Sequence, residues 1–361
     1  MLPSTAGAAA LSVAGAASAA NIVLCPPINR IATFHLNSLS DLLFSLPALH
    51  ALREGFPGAQ ISAVLRPGLA ALLEDSPLVD ELLLRPKGGL STQAALMARL
   101  AAHHFDIALA FSQSRQVSLL AFATRAPVRL GYQGAKMEAL LTHHIVQDGP
   151  FTMEGALDFV RALGCPVQKY DYCGLVYPSP AQNRAADDLL EAQGIQGEFL
   201  IAACAGVDKK YDRRYLTEWP IEHWTAAAQK LAQRRPIVLV GSRPAPQIVE
   251  AIGPRAVDLG GRTSLPVLAA LCGKARLVLS ADGGVLHLAA AMKTPVVGLY
   301  GPTDSHLTGP RGVPYRIARL PLECAPCLSN RCKWQGDDLQ KCMKQLAPEQ
   351  VVHAVHDLIG L

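Results

Sequence analysis

Apolar residues along this chain gather in short blocks whose spacing alternates between two periods. Residues 30–36, 59–65, 79–84 and 107–111 are largely apolar runs of strand length. Between them, residues 42–54, 68–74 and 90–102 carry apolar positions three and four apart, the spacing of one helical face. Strands that are apolar on both faces and alternate with helices predict a parallel sheet covered on each side. Tyr177-Pro178-Ser179-Pro180 interrupts the pattern, a helix follows over 181–193, and a second series begins with strands at 199–204, 237–240 and 257–259 and a helix at 221–234. That series is completed by a strand at 277–279, a break from Ser280 to Gly284, a helix over 285–292 and a strand over 296–300. An amphipathic pattern over 348–359 closes the chain. The pattern predicts two doubly wound Rossmann-like domains, 25–177 and 178–347, preceded by a flexible leader (1–24) and followed by a C-terminal helix (348–361). Such sheets bind ligands beyond the carboxyl ends of their strands, which places the expected cleft between the domains.

Candidate chemistry collects at those strand ends. Gly283 and Gly284 stand where a strand turns into a helix. Glycines there let backbone approach a ligand, and the helix start offers unpaired N–H groups and the positive end of a dipole, a seat for phosphate oxygens. The same pair also suits a plain tight turn between strand and helix. Asp282 precedes the glycines, His287 follows one turn into the helix, and the next strand runs into Pro302, Thr303 and Asp304. His287 is placed to donate to an oxygen of a departing diphosphate, or to serve as a satisfied structural histidine. Asp282 suits a loop or ribose hydroxyl better than phosphate, because like charges repel. In the first domain, Asp41 follows the first strand in the loop Asn37-Ser38-Leu39-Ser40, with Ser40 or Asn37 the expected helix cap. Its carboxylate suits a base that takes a proton from an attacking hydroxyl, and equally a first-turn aspartate favoured by the helix dipole. Lys209, Lys210, Arg213 and Arg214 form a basic loop after the strand at 199–204, placed to meet an anion or to be a solvated face.

Composition narrows the class. With 33 Lys and Arg against 29 Asp and Glu, the chain lacks the basic excess of a nucleic-acid binder but suits anionic substrates. Neither a phosphate-binding P-loop nor a Gly-x-Gly-x-x-Gly after the first strand is present, against a kinase or a nicotinamide dehydrogenase. The first twenty residues are nearly all small and carry no Lys or Arg ahead of their apolar part, a poor signal peptide. Nine cysteines, an odd number, favour a reducing, cytoplasmic setting over a disulfide framework. Four of them, Cys324, Cys327, Cys332 and Cys342, are clustered, and four such thiolates can close a structural zinc or iron clasp; reduced thiols packing a loop are the alternative.

Several of these motifs together resemble the heptosyltransferases of glycosyltransferase family nine. The likeness rests on Asp282 to Ala291, Pro295, and Leu299 to Asp304, on Asn37 to Asp41 with Leu46 to Leu49, on Pro77 to Asp80, and on Cys324 to Cys327, Cys342-Met343 and Pro348 to Val351. It implies the GT-B fold, an acceptor-binding first domain and a nucleotide-sugar-binding second domain. It also implies inverting transfer of heptose from ADP-heptose to a lipopolysaccharide core or similar glycan, with no catalytic metal and with peripheral contact at the inner membrane face. On this resemblance Asp41 is the base, and Asp282, Gly283, Gly284 and His287 form the diphosphate loop, joined by Lys209, Lys210, Arg213 and Thr303 as donor-binding residues. Ser40, Gly283, Thr217 and Arg243 depart from the family's usual Gly, Thr, Lys and Glu. Those departures leave two rivals, a protein-glycosylating heptosyltransferase with a four-cysteine clasp and a non-catalytic nucleotide-sugar-binding module.

Overall fold

The computed structural model describes residues 22–25, 27–147, 149–205, 215–329 and 331–360. The basic loop expected at Lys209, Lys210, Arg213 and Arg214 lies outside the described residues. Twelve strands form two six-stranded sheets in which every pairing is parallel. The first contains β1 (Arg30–His35), β2 (Gln60–Leu65), β3 (Glu81–Leu84), β4 (Ile107–Ala110), β5 (Val128–Tyr132) and β6 (His143–Ile145), in the order β3-β2-β1-β4-β5-β6. The second contains β7 (Leu200–Ala205), β8 (Ile237–Gly241), β9 (Ala256–Asp258), β10 (Leu277–Ala281), β11 (Val296–Leu299) and β12 (Tyr315–Ala318), in the order β12-β11-β10-β7-β8-β9. Each sheet thus reverses direction once, between β1 and β4 and between β7 and β10. A crevice opens beyond the carboxyl ends of strands at such a reversal.

The apolar runs explain the strands directly. β1 and β2 bury every residue after the first, and β4 and β11 bury all four of theirs, as central strands between helix layers must. The helix Leu39–Gly55 buries Leu42 through Leu49 and also Ala51 and Leu52. A helix with so wide a buried surface belongs inside the molecule. It packs against both the Met153–Ala162 helix of the first sheet and the Gly284–Ala291 helix of the second. Phe44, Tyr172, Leu286 and Ala289 consequently share one continuous core. Ile22 and Leu24, which the sequence pattern assigns to the leader, pack on this core, and the Ile22 N–H donates to the Ala162 carbonyl at 2.9 Å.

Local details differ from the sequence expectation in two places. The Leu39–Gly55 helix is capped by Ser38, not by Ser40 or Asn37: the Ser38 hydroxyl accepts from the Asp41 N–H, and Asp41 reaches back to the Ser38 N–H. Asn37 is occupied across the sheet reversal, donating to the Phe111 carbonyl and accepting from the Ser112 hydroxyl at 3.0 Å. The helix expected over 68–74 is a single turn, Pro67–Ala70. The closing helix Pro348–Ile359 does not stand alone, because it packs on the Ile221–Ala232 helix and on β11 and β12.

Candidate active site

A cleft of about 1140 Å³ lies where the two sheets' strand ends meet. Its floor is made by two helix starts. Leu39 begins one helix and Gly284 the other, and a Cβ placed on Gly284 would lie 2.7 Å from Leu39 Cδ2 and 2.9 Å from Leu39 Cβ. Gly284 is therefore glycine because the two domains touch there. Gly283 is different: its φ of 165° is extended backbone and a Cβ would meet nothing closer than the Ala281 carbonyl at 3.9 Å. Two helix dipoles point their positive ends at one place, so the floor favours an anion more than either helix would alone.

Asp41 lines this cleft. Its Oδ2 accepts from the Ser38 N–H at 2.9 Å and the Ser38 hydroxyl at 2.8 Å, while Oδ1 has no protein hydrogen bond among the described residues. The capping role and a cleft-facing role therefore coexist, one oxygen for each. Across the cleft, Asp282 Oδ1 lies 3.4 Å from His287 Nε2, and the Tyr172 hydroxyl bonds His287 Nδ1 at 2.8 Å. The His287 side chain is only 1 % exposed, and both ring nitrogens already face protein groups. Thr303 also lines the cleft, and its buried Oγ1 has no hydrogen-bond partner among the described residues. An orphaned hydroxyl is costly unless a ligand or water completes it.

Three features of the cleft were not singled out from sequence. Lys344, on the short helix Lys341–Lys344, is exposed and lines it; with Arg243 it completes the Lys and Arg side chains along the cleft among the described residues. Trp224, stacked edge-on against Trp219 with ring centroids 5.1 Å apart, forms an apolar wall beside Gly241, Ser242 and Arg243. Asp258 shapes that last loop by accepting from the Ala245 N–H at 2.5 Å and the Gly260 N–H at 2.8 Å. Cys204 lies in the cleft too, but burial pushes its thiol up to about 12, so it stays protonated and is no nucleophile.

Cys324, Cys327, Cys332 and Cys342 do come together, around a separate cavity of about 210 Å³ that includes Trp334. Burial raises the Cys342 thiol, and the three neighbouring thiols raise it further. Among the described residues, however, no three or more His, Cys, Asp or Glu side chains are arranged to hold a metal ion. The four cysteines of the expected clasp are thus gathered around one cavity. What the segment does touch is the cleft's supporting loop. A Cβ on Gly301 would sit 2.7 Å from Met343 Sδ and 2.9 Å from Cys342 Sγ, and the Leu328 N–H donates to the Pro302 carbonyl at 2.8 Å.

Two doubly wound sheets meeting at one anion-seating cleft define the GT-B architecture of nucleotide-sugar-dependent glycosyltransferases. Residues 93–336 match the family model described as glycosyltransferase family 9 (heptosyltransferase), and the chain belongs to that family and is a glycosyltransferase. It is 24% identical over 287 residues to the lipopolysaccharide core heptosyltransferase OpsX of Haemophilus influenzae, covering 76% of this chain and 80% of that one. Among solved structures it is similar to a family 9 glycosyl transferase from Veillonella parvula (TM-score 0.73, 21% identity, 92% and 97% of the two chains). It is also similar to the E. coli ADP-heptose lipopolysaccharide heptosyltransferase II (TM-score 0.71, 21% identity, 91% and 98%). No described helix is long and apolar enough to cross a membrane.

Proposed function

We propose that this protein is an inverting heptosyltransferase that moves heptose from ADP-heptose onto a lipopolysaccharide-core or similar glycan. The observation that carries the reading is the convergence of Asp41, from one sheet, with the helix start at Gly283-Gly284 and the orphaned Thr303 hydroxyl, from the other, in a single cleft. Membership of a heptosyltransferase family supports the sugar, and similarity to a structure named for ADP-heptose supports the donor. The acceptor hydroxyl loses its proton to Asp41 Oδ1 as its oxygen bonds to the anomeric carbon. The bond from that carbon to the diphosphate breaks, and ADP leaves toward the two helix starts, which stabilise its growing charge. Direct displacement of this kind inverts the anomeric centre. Thr303 hydrogen-bonds a diphosphate oxygen, and Asp282 the ribose or the loop.

On this reading the residue boundaries 25–177 and 178–347 separate acceptor from donor binding. The glycolipid acceptor brings the protein to the cytoplasmic face of the inner membrane. The four cysteines take part in no step; a structural zinc or iron among them is a separate matter from transfer. The non-catalytic rival is disfavoured because a base, an anion seat and an unpaired hydroxyl face the same space.

Asp41→Asn tests the assignment. Asparagine keeps an acceptor for the Ser38 cap while removing the base, so the variant should melt near the parent and release ADP from ADP-heptose about 10²–10⁴-fold more slowly. Unchanged turnover in a folded Asp41→Asn protein would remove Asp41 as base.

A further inference from the structure

His287 joins three parts of the chain. Tyr172 comes from the segment that crosses between the two sheets, Phe44 from the helix that carries Asp41, and Asp282 from the loop ahead of Gly283. The Phe44 and His287 rings meet edge to face with centroids 4.7 Å apart, and Tyr172 adds a second edge contact at 5.8 Å. The crossing segment is tied to the same helix at its other end, where the Gly174 N–H donates to the Ala291 carbonyl at 2.7 Å. It therefore holds the Gly284–Ala291 helix at first turn and last.

The protons on His287 follow from its partners. Tyr172 is fully buried, and burial drives its phenol pKa well up, so it remains an O–H donor. A Tyr172 O–H that donates to Nδ1 leaves the ring hydrogen of a neutral imidazole on Nε2, the side of Asp282. Nδ1 then accepts from the Tyr172 O–H at 2.8 Å, and Asp282 Oδ1 lies 3.4 Å from Nε2. Tyr172, His287 and Asp282 thus stand in one line of contacts, and the hydroxyl at Nδ1 orients the ring as an outer partner orients an imidazole in other histidine sites.

Resting on the heptosyltransferase reading above, we propose that Tyr172 is a positioning residue for the transfer. Through His287 it orients the Asp282 carboxylate at the donor loop and keeps that loop in register with the Asp41 helix. It touches neither sugar nor phosphate.

The test uses full-length wild type and Tyr172→Phe, with two readouts. Nitrogen-15 NMR of the His287 ring should show the Nε2–H tautomer in the wild type and a mixture of tautomers in Tyr172→Phe. Steady-state ADP release from ADP-heptose should fall about ten-fold in kcat/KM for the donor, the size of one lost hydrogen bond, with acceptor KM unchanged and melting shifted by only a few degrees. An Nδ1–H tautomer in the wild type overturns the proposal even if Tyr172→Phe does not fold. Parent-like donor kinetics in a folded Tyr172→Phe overturn it while leaving the transferase reading intact. Wild type that shows the Nε2–H tautomer but releases no nucleotide removes the transferase reading, and the positioning role with it.

Discussion

Two buried histidines, His35 and His287, are each held by side-chain hydroxyls, and the first has a consequence at the scale of a single residue. His35, at the end of β1, is 4 % exposed. The Ser45 hydroxyl donates to the Leu42 carbonyl at 2.7 Å, so its oxygen accepts from His35 Nδ1–H at 2.9 Å, and the Thr33 hydroxyl serves Nε2 at 2.9 Å. Among the described residues no carboxylate is paired with the ring, and burial lowers its pKa from 6.5 to about 3. Below pH 6.5 the unfolded chain takes up a proton that the folded protein refuses until about pH 3. The stabilisation is full above 6.5 and is lost as pH falls. Denaturant titrations should show about 1 kcal/mol lost between pH 6.5 and about 5.5, where carboxylates contribute little, and His35→Gln should flatten that slope. Gly283 makes the opposite kind of prediction. Its backbone is extended and its Cβ direction is open, so Gly283→Thr should fold normally. The added hydroxyl at the helix start should lower the donor KM by several-fold, in the range of one hydrogen bond to a charged group; a KM that rises would show that the cleft needs a bare backbone there.

At the scale of elements, the donor side is assembled from pieces that do not adjoin in sequence. The loop after β11 is held from below by the cysteine-bearing segment, through Gly301 against Met343 and Cys342 and through Pro302 against Leu328. That segment runs directly into the Lys341–Lys344 helix, whose last residue enters the cleft. Where the resemblance leads one to expect a lysine ahead of Trp219, the chain has Thr217, and Lys344 stands in the same cleft as Thr217 and Thr303. Lys344→Met should therefore weaken ADP binding in calorimetry by about ten-fold, consistent with one partly exposed charge contact, with little change in melting because the side chain is exposed. Affinity equal to wild type would hand the cationic role to other residues. The cysteine cluster belongs to this scale as well, since the segment that carries it packs against that loop.

For the whole molecule, the alternation of apolar strands and helical faces determined a great deal. It required two parallel sheets, put turns at Tyr177 to Pro180 and at Ser280 to Gly284, and marked the closing helix from its first residue to its last. Periodicity is a local property that each strand and helix states for itself, and a parallel sheet follows once strands are apolar on both faces. The motif around Asp282 to Ala291 was equally readable, because it lies in one stretch. Only the tertiary structure decided what those residues touch. Tyr172 and His287 are 115 positions apart, and no period along the chain encodes that meeting. Gly284 read as a phosphate-loop glycine, yet the tight constraint on it comes from Leu39 in the other domain. His287 read as a donor to phosphate or a satisfied structural histidine, and only the fold shows its neighbours, Tyr172 at 2.8 Å from one ring nitrogen and Asp282 at 3.4 Å from the other. Four cysteines at close spacing read as a clasp or as packed thiols, and only the fold shows that they surround one cavity beside Trp334. Sequence settled which elements form and where their ends lie; the packing of two sheets through one shared core settled which ends face each other.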